Sequence, residues 1–135
     1  METLYQLIYT SFIAPDTDQR QVHQIAARSR AKNERIGVTG LLIFDGLRIC
    51  QYLEGPSQTL FPLIDQIRID PRHIEFDIKE HKHTTGMRRF PKTAMGFAMS
   101  NSPEGLDLFH KFNPHAEIAA FSLLDHFVSS LDIES

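Results

Sequence analysis

"GLLIFDGLRICQYLEGP", residues 40–56, is the stretch that decides the fold of this chain. Asp45-Gly46 near its centre is a strong signal for a tight hairpin turn, because glycine accepts the positive φ that such turns require. The flanking residues are mostly apolar, and the Gly55-Pro56 pair ends the second run. The stretch therefore predicts two antiparallel strands, over residues 37–44 and 48–55.

A strand and a helix are predicted before the hairpin. Residues 3–11, "TLYQLIYTS", are rich in strand-forming side chains, and residues 17–32 follow with apolar positions at helical spacing. Asp16 and, three residues later, Gln19 form a capping-box pattern. We therefore expect Asp16 to cap this first helix.

A helix and two strands are predicted after the hairpin. The second helix runs from Ser57 or Thr59 to residue 69, and Pro62 favours Thr59 as its cap because proline is tolerated only in the first turn. Residues 74–83 alternate as a fourth strand, with Ile74, Phe76 and Ile78 on one side, and residues 93–100 predict a shorter fifth strand.

This order of elements predicts an α+β fold. A βαββαβ sequence is the ferredoxin-like split βαβ pattern, whose sheet carries both helices on one face. The fifth strand is an addition to it. The first and third strands are neighbours in such a sheet, and we expect the first helix to pack across them.

The tail is predicted to cover the other face of the sheet. A short helix over 103–112 leads into a longer one that Asn113 caps, with Pro114 at its first position. An apolar stripe marks the buried side of that helix: Ile118, Phe121, Leu124, Val128 and Leu131. We expect residues 1–100 to form the main domain and residues 101–135 a helical cap packed on it.

Composition excludes several classes of protein. The chain has 135 residues, 41% hydrophobic and 23% charged, with a net charge of −3, which fits one domain without a nucleic-acid footprint. Cys50 is the single cysteine, so neither an intrachain disulfide nor a cysteine-rich metal site is expected. Neither a signal peptide nor a membrane-spanning stretch is present in the sequence. We expect a cytoplasmic protein that contacts neither membrane nor nucleic acid directly.

Few residues suggest catalysis or metal binding. His81 and His83 alternate on the fourth strand without a further ligand at useful spacing, so we expect an exposed pair and no metal site. The turn before the first helix, "SFIAPDTDQ", lacks glycine, which weakens an acylphosphatase-type enzyme with a phosphate loop. Cys50 has no evident activating base.

A glutamine on an apolar strand face is harder to explain. Strand alternation places Gln51 with Leu47, Ile49 and Leu53, and a buried amide left unpaired costs about 1–3 kcal/mol. Tyr9 in the first strand and Asn33 at the end of the first helix could converge on Gln51. Such an uncharged group suits a flat, neutral ligand with a polar edge. A plain bond between Tyr9 and Gln51 inside the core is the alternative.

Five motifs, in order, resemble the BLUF domains, which sense blue light with a bound flavin. They are "LIYTS" (7–11), "SRAKNERIGVTGLL" (29–42), "CQYLEG" (50–55), "DPRH" (70–73) and "RRFPKTAM" (88–95). The resemblance implies that the flavin is bound by Tyr9, Ile25, Ser29, Asn33, Gln51, Arg72 and His73. FAD is the expected cofactor, and FMN is the other candidate.

The resemblance also implies a photocycle without substrate turnover, so the chain is not expected to be an enzyme. Excited flavin would take an electron and a proton from Tyr9, and the Gln51 amide would rotate or tautomerise before recombination, which shifts the absorption to the red. Met95 matches a methionine near this glutamine. Thr93 stands where the family often has tryptophan, so a switch that exchanges tryptophan and methionine cannot operate.

Output is expected to pass to a separate effector or regulatory protein, and self-association is expected from the apolar sheet face. Two other functions remain open at this point. One is a small ferredoxin-like enzyme of the acylphosphatase type, and the other is a flavin-binding interaction module that does not respond to light.

Overall fold

The computed structural model describes residues 3–101, 105–112 and 119–134. It contains five strands and four helices in these ranges: β1 (Leu4–Ile13), α1 (Gln19–Ile36), β2 (Thr39–Phe44), β3 (Arg48–Gly55), α2 (Ser57–Ile69), β4 (His73–Thr84), β5 (Gly96–Met99), α3 (Gly105–His110) and α4 (Ala120–Val128). The predicted α+β class and the predicted order of elements are confirmed.

The five strands form one mixed sheet in the order β4-β1-β3-β2-β5. β1 pairs with β3 and β4, and β2 pairs with β3, all antiparallel, whereas β5 joins β2 in parallel. Glu134 then returns to Phe97 of β5 and exchanges two backbone hydrogen bonds with it, at 2.7 and 2.8 Å. Part of the β5 edge is thereby paired by the end of the chain.

The sheet separates two hydrophobic clusters, as strand alternation requires. Tyr9 and Leu53 belong to the cluster beneath α1 and α2, and Cys50 and Tyr52 belong to the cluster beneath α3 and α4. Both predicted coverings are therefore observed. α1, however, lies against β2 and β5, and α2 lies against β1, β3 and β4, so the prediction that α1 packs across β1 and β3 is wrong. The added strand β5 widens the sheet on the side that α1 covers.

Two predicted helix caps are wrong, Asp16 for α1 and Thr59 for α2. Asp18, not Asp16, caps α1: its carboxylate accepts from the amide of Gln21 at 2.9 Å, and the Gln21 side chain accepts from the amide of Asp18 at 2.7 Å. Asp16 lies instead in the turn after β1. The capping box is thus real, but it uses the second of two overlapping patterns in the sequence.

Helix α2 begins at Ser57, so Thr59 is not its cap and Pro62 lies inside the helix. The amides of Thr59 and Leu60 both donate to the Pro56 carbonyl, at 3.1 and 2.9 Å. Pro62 removes the bond to the carbonyl of Gln58, and both of these residues are exposed. Water can therefore satisfy that carbonyl, which explains why the helix tolerates the proline.

Two residues expected on apolar faces are exposed. Leu47 lies in the hairpin turn and is 57% exposed, and Ile74 is 42% exposed beside Glu75, whose φ is +54°. Phe76 and Ile78 pack on the core as predicted. The pairing of β4 with β1 shifts register between Ile74 and Asp77, as in a β-bulge, so Ile74 does not follow the alternation of the residues after it.

In the tail, Phe121 and Leu124 are buried against the sheet, and Val128 and Leu131 pack on the same cluster. The predicted cap at Asn113, with Pro114 and Ile118, lies outside the described residues. No helix in the described ranges is long and apolar enough to cross a membrane.

Candidate functional site

Gln51 lies at the centre of the sheet, on the face that α1 and α2 cover, and is 4% exposed. β1 and β3 are in register so that Tyr9 is directly opposite Gln51. The Tyr9 hydroxyl donates to Gln51 Oε1, and Gln51 Nε2 lies 3.3 Å from Met95 Sδ. The buried amide therefore has a partner at each end, and one of the two, the thioether, is a weak acceptor.

Tyr9 is fully buried, and its ring stacks on Phe76 with the centroids 4.5 Å apart. Burial raises the pKa of the Tyr9 phenol well above its usual range, and the negative charge of the Asp70 carboxylate acts in the same direction. The neutral phenol is thus strongly favoured. It can donate its proton only along the hydrogen bond to Gln51.

A cleft of about 190 Å³ opens between α1 and α2 above this pair. Seven of the predicted site residues line it: Ile25, Ser29, Asn33, Gln51, Arg72, His73 and Met95. Tyr9 does not line the cleft; it reaches it through Gln51. The residues that the sequence suggested are therefore brought together around one cleft, from helix α1, the central strand β3, the start of β4 with the residue before it, and the loop before β5.

Asn33 is 1% exposed and has one half of its amide paired. Its Nδ2 donates to the carbonyl of Ala94 at 3.0 Å, and its Oδ1 has no hydrogen-bond partner among the described residues. A buried acceptor without a partner costs free energy, and a donor on a ligand in the cleft would remove this cost.

Arg72 and His73 lie at another wall of the cleft. Arg72 is paired with Asp70, with Nε 3.0 Å from both carboxylate oxygens, and this contact lowers the pKa of the Asp70 carboxyl. His73 Nδ1 lies 2.9 Å from Ser11 Oγ. Burial lowers the pKa of His73, so the neutral imidazole is favoured.

Several polar residues of the cleft were given no role from the sequence, Gln66 and Asp70 among them. Arg28 and Lys32 of α1 line it, and Lys32 Nζ donates to Gln66 Oε1 of α2. The signal was present in the sequence, since Arg28 and Lys32 are one helical turn apart and adjacent to Ser29 and Asn33. Arg28, Lys32 and Arg72 together give the cleft a positive charge.

The histidine pair on β4 lies apart from the cleft. His81 and His83 are exposed, and their rings contact Tyr5 with centroids 5.8 and 4.9 Å away. Within the part of the chain that the structure describes, no group of three or more histidine, cysteine or acidic residues could hold a metal ion.

Comparison with known proteins now adds to this geometry. Residues 4–96 match the family described as sensors of blue-light using FAD, which is BLUF. This chain belongs to the BLUF family. Domains of this family are described as blue-light sensors that use FAD, not as enzymes, so the acylphosphatase-type alternative is set aside.

Three relatives illustrate the family. The structure of BlrB, a BLUF protein in its dark state, is 27% identical, with a TM-score of 0.79, and the match covers 96% of this chain and 98% of that chain. The structure of Klebsiella pneumoniae BlrP1 with FMN and cyclic diGMP is 30% identical, with a TM-score of 0.69, over 94% of this chain and 35% of BlrP1. The match to BlrB confirms the fold, including the tail helices.

The blue light- and temperature-regulated antirepressor BluF of Escherichia coli (strain K12) is 34% identical over 70 residues. The match covers 52% of this BLUF chain but 17% of the antirepressor. The match thus spans a small share of that protein's length, and its name describes the longer protein.

Proposed function

We propose that the chain is a reversible blue-light switch, which binds a flavin non-covalently in the cleft and passes its state to a separate protein. The observation that supports this best is the buried Gln51 amide, with the Tyr9 hydroxyl at its oxygen and the Met95 thioether at its nitrogen. Because the thioether is a weak acceptor, the Nε2 end of this amide can leave it at little cost, and a stronger partner at the ring edge would then favour a second orientation.

The donors and acceptors of the cleft fit the flavin ring. Asn33 Oδ1 is a buried acceptor that lacks a partner among the described residues, and the imide N–H of a flavin is a donor of matching character. Ile25 and Leu63 supply apolar walls for the flat ring. We propose that Asn33 and Gln51 bind the polar edge of the ring.

The cations of the cleft fit the phosphate of a flavin nucleotide. Arg28, Lys32 and Arg72 all line it, and guanidinium groups are well suited to phosphate oxygens. We propose that Arg72 and His73 lie beside the ribityl-phosphate chain. FAD is the proposed resident cofactor, in line with the family description, and FMN is the alternative because BlrP1 has been solved with FMN.

When bound, the flavin supplies absorption of blue light and accepts an electron on excitation. The chain's own part would begin at Tyr9, which would give up an electron to the bound flavin. Its phenolic proton would move along the hydrogen bond to Gln51 Oε1, and the amide would release a proton from its nitrogen to the ring. Gln51 then rotates or tautomerises, which exchanges a donor for an acceptor at the ring edge. The electron and the proton return to Tyr9, and the apolar surroundings exclude water that would intercept the proton.

Output is proposed to leave through Met95. The thioether contacts the amide that changes, and Met95 directly precedes β5. We propose residues 1–100 as the flavin-binding domain and residues 101–135 as a helical cap that a separate effector protein reads. Association of two copies through the outer surface of this cap is part of the same proposal.

An absorption spectrum before and after blue light tests the function. We expect a yellow protein whose absorption shifts slightly to the red and recovers in darkness, and chromatography of the released cofactor identifies FAD or FMN. A yellow protein with an unchanging spectrum would support the module that only binds flavin. A protein that stays colourless after incubation with FAD and FMN would contradict the proposal.

A further inference from the structure

Glu54 is a fully buried carboxylate on the sheet face opposite the cleft. Both of its oxygens accept hydrogen bonds. Oε1 accepts from the amide of Phe90 at 2.8 Å and from the hydroxyl of Thr39 at 3.2 Å, and Oε2 accepts from the hydroxyl of Tyr52 at 2.7 Å and from the amide of Arg89 at 3.0 Å. Glu54 therefore satisfies four hydrogen-bond donors, each of which would be costly to leave buried and unpaired.

The two amides belong to the loop that joins β4 to β5, residues 85–95. The same loop ends at the cleft, where the carbonyl of Ala94 accepts from Asn33 and Met95 Sδ lies 3.3 Å from Gln51 Nε2. Glu54 therefore fixes the middle of a loop whose last residues contact the proposed flavin site. Gln51 and Glu54 are three residues apart on β3, on opposite faces of the sheet.

The loop also contacts the tail. The Arg89 guanidinium bonds to the Asp125 carboxylate of α4, at 2.9 Å from Nε and 3.2 Å from Nη2, and lies 5.0 Å from the centroid of the Phe121 ring. The backbone amide of Arg89 is also one of the two loop amides that donate to Glu54. One residue thus joins the anchor on the sheet to the tail helix.

We propose that Glu54 is a positioning residue for the photocycle: it fixes the loop at residues 89 and 90, so that Met95 stays against the Gln51 amide and Arg89 stays on α4. This inference rests on the proposed function. A loop anchored in its middle cannot absorb a displacement of Met95 by moving freely as a whole. A displacement of Met95 acts instead on the anchored segment itself, where it strains the bond between Arg89 and Asp125 of α4.

The test is Glu54→Gln in the full chain loaded with FAD. Glutamine is nearly isosteric but turns an NH₂ group toward one of the two loop amides, which leaves that buried donor unpaired. We expect amide hydrogen exchange of residues 89–95 in the dark to be about tenfold faster than in the parent protein. The red shift should persist, but dark recovery should be faster by about threefold or more, because the recovering amide no longer works against a fixed Met95.

Two further variants make the test specific. Tyr52→Phe removes one hydroxyl donor and leaves both loop amides bonded, so its loop exchange and dark recovery should remain close to those of the parent. Arg89→Met keeps the backbone anchor but removes the bond to Asp125. It should recover at the parental rate and lose the light-induced change in exchange over residues 120–128.

The outcomes separate this inference from the proposed function. Parental loop exchange and parental recovery in Glu54→Gln would overturn the role of Glu54. If that variant does not fold, Arg89→Met decides: a preserved light response in α4 would overturn the path from loop to tail. A parent protein that binds FAD but shows no red shift would contradict the proposed function itself, and the exchange measured in the dark would still test the anchor.

Discussion

Asn33→Leu tests the cleft most directly, because leucine keeps the volume of the side chain and removes both of its polar atoms. In the protein without flavin, the change removes the hydrogen bond from Nδ2 to the Ala94 carbonyl, 3.0 Å long. It also removes the buried Oδ1 that lacks a partner among the described residues. The two effects oppose each other. We therefore expect the free energy of unfolding of the flavin-free protein to change by about 1 kcal/mol or less.

The protein with bound flavin has no such compensation. If Asn33 Oδ1 accepts a hydrogen bond from the ring, leucine leaves a buried donor of the ligand unpaired, at a cost of about 1–3 kcal/mol. This cost corresponds to a dissociation constant roughly 5- to 150-fold larger. The assay is titration of the flavin-free protein with FAD, followed by quenching of flavin fluorescence, and thermal unfolding of the same samples. Glu34→Ala is the matched control, since Glu34 is the exposed neighbour on the same helix.

The result that refutes this reasoning is specific. Asn33→Leu with parental FAD affinity would show that Asn33 fixes only the Ala94 carbonyl and the end of α1. Equal weakening in Glu34→Ala would show instead that the affinity depends on the helix as a whole. A large loss of stability without flavin would show that the Oδ1 atom has a protein partner in solution.

The remaining predictions concern the switch, its output and its ionisation. Tyr9→Phe and Gln51→Leu should each retain flavin and lose the reversible red shift, because one lacks the phenolic proton and the other lacks the amide that receives it; a normal photocycle in either variant contradicts the mechanism. Met95→Ala should keep most of the red shift and reduce the light-induced change in hydrogen exchange over residues 105–110 and 120–128; identical exchange of the parent in dark and light contradicts this route. The Tyr9 phenol, whose pKa burial raises, should stay protonated as the pH passes the ordinary value of 10.0. Because the unfolded chain ionises this phenol there and the folded chain does not, stability should fall with rising pH, by up to about 1.4 kcal/mol per unit for this group. The absorbance difference between the parent and Tyr9→Phe measures ionisation of the Tyr9 phenol as the pH rises. Tyrosinate formation at Tyr9 near the ordinary pKa of 10.0 in the folded parent would contradict the prediction.

Several features were determined by local sequence alone. The hairpin over 40–56 follows from its turn residues and its alternation, and both faces of β3 were assigned correctly from Ile49 onward. The prediction that Gln51 needs a buried partner came from the same alternation, because a polar residue on an apolar face is informative wherever the period is two. Short-range patterns of this kind need no knowledge of distant contacts.

The resemblance to BLUF domains added what periodicity could not. Tyr9, Gln51 and Asn33 are far apart in the sequence, and a plain core hydrogen bond remained an alternative on pattern alone. Five ordered motifs favoured a shared cleft, and the structure places residues of four of them around one, with Tyr9 of the first motif bonded to Gln51. Their roles toward flavin stay predictions, which the experiments above address.

Other features were decided by tertiary structure. Both Asp16 and Asp18 have a glutamine three residues later, and only the path of the chain out of β1 selects Asp18 as the cap. Pro62 is tolerated because the carbonyl it leaves unpaired faces solvent, which depends on how α2 lies on the sheet. The anchoring by Glu54 depends on a loop that begins 31 residues later at position 85, so nothing near Glu54 in the sequence announces it. Hydrogen bonds between distant segments form only once the hydrophobic clusters have brought those segments together, and for this reason the sequence specified the strands and the buried amide, while the folded chain determined which groups meet there.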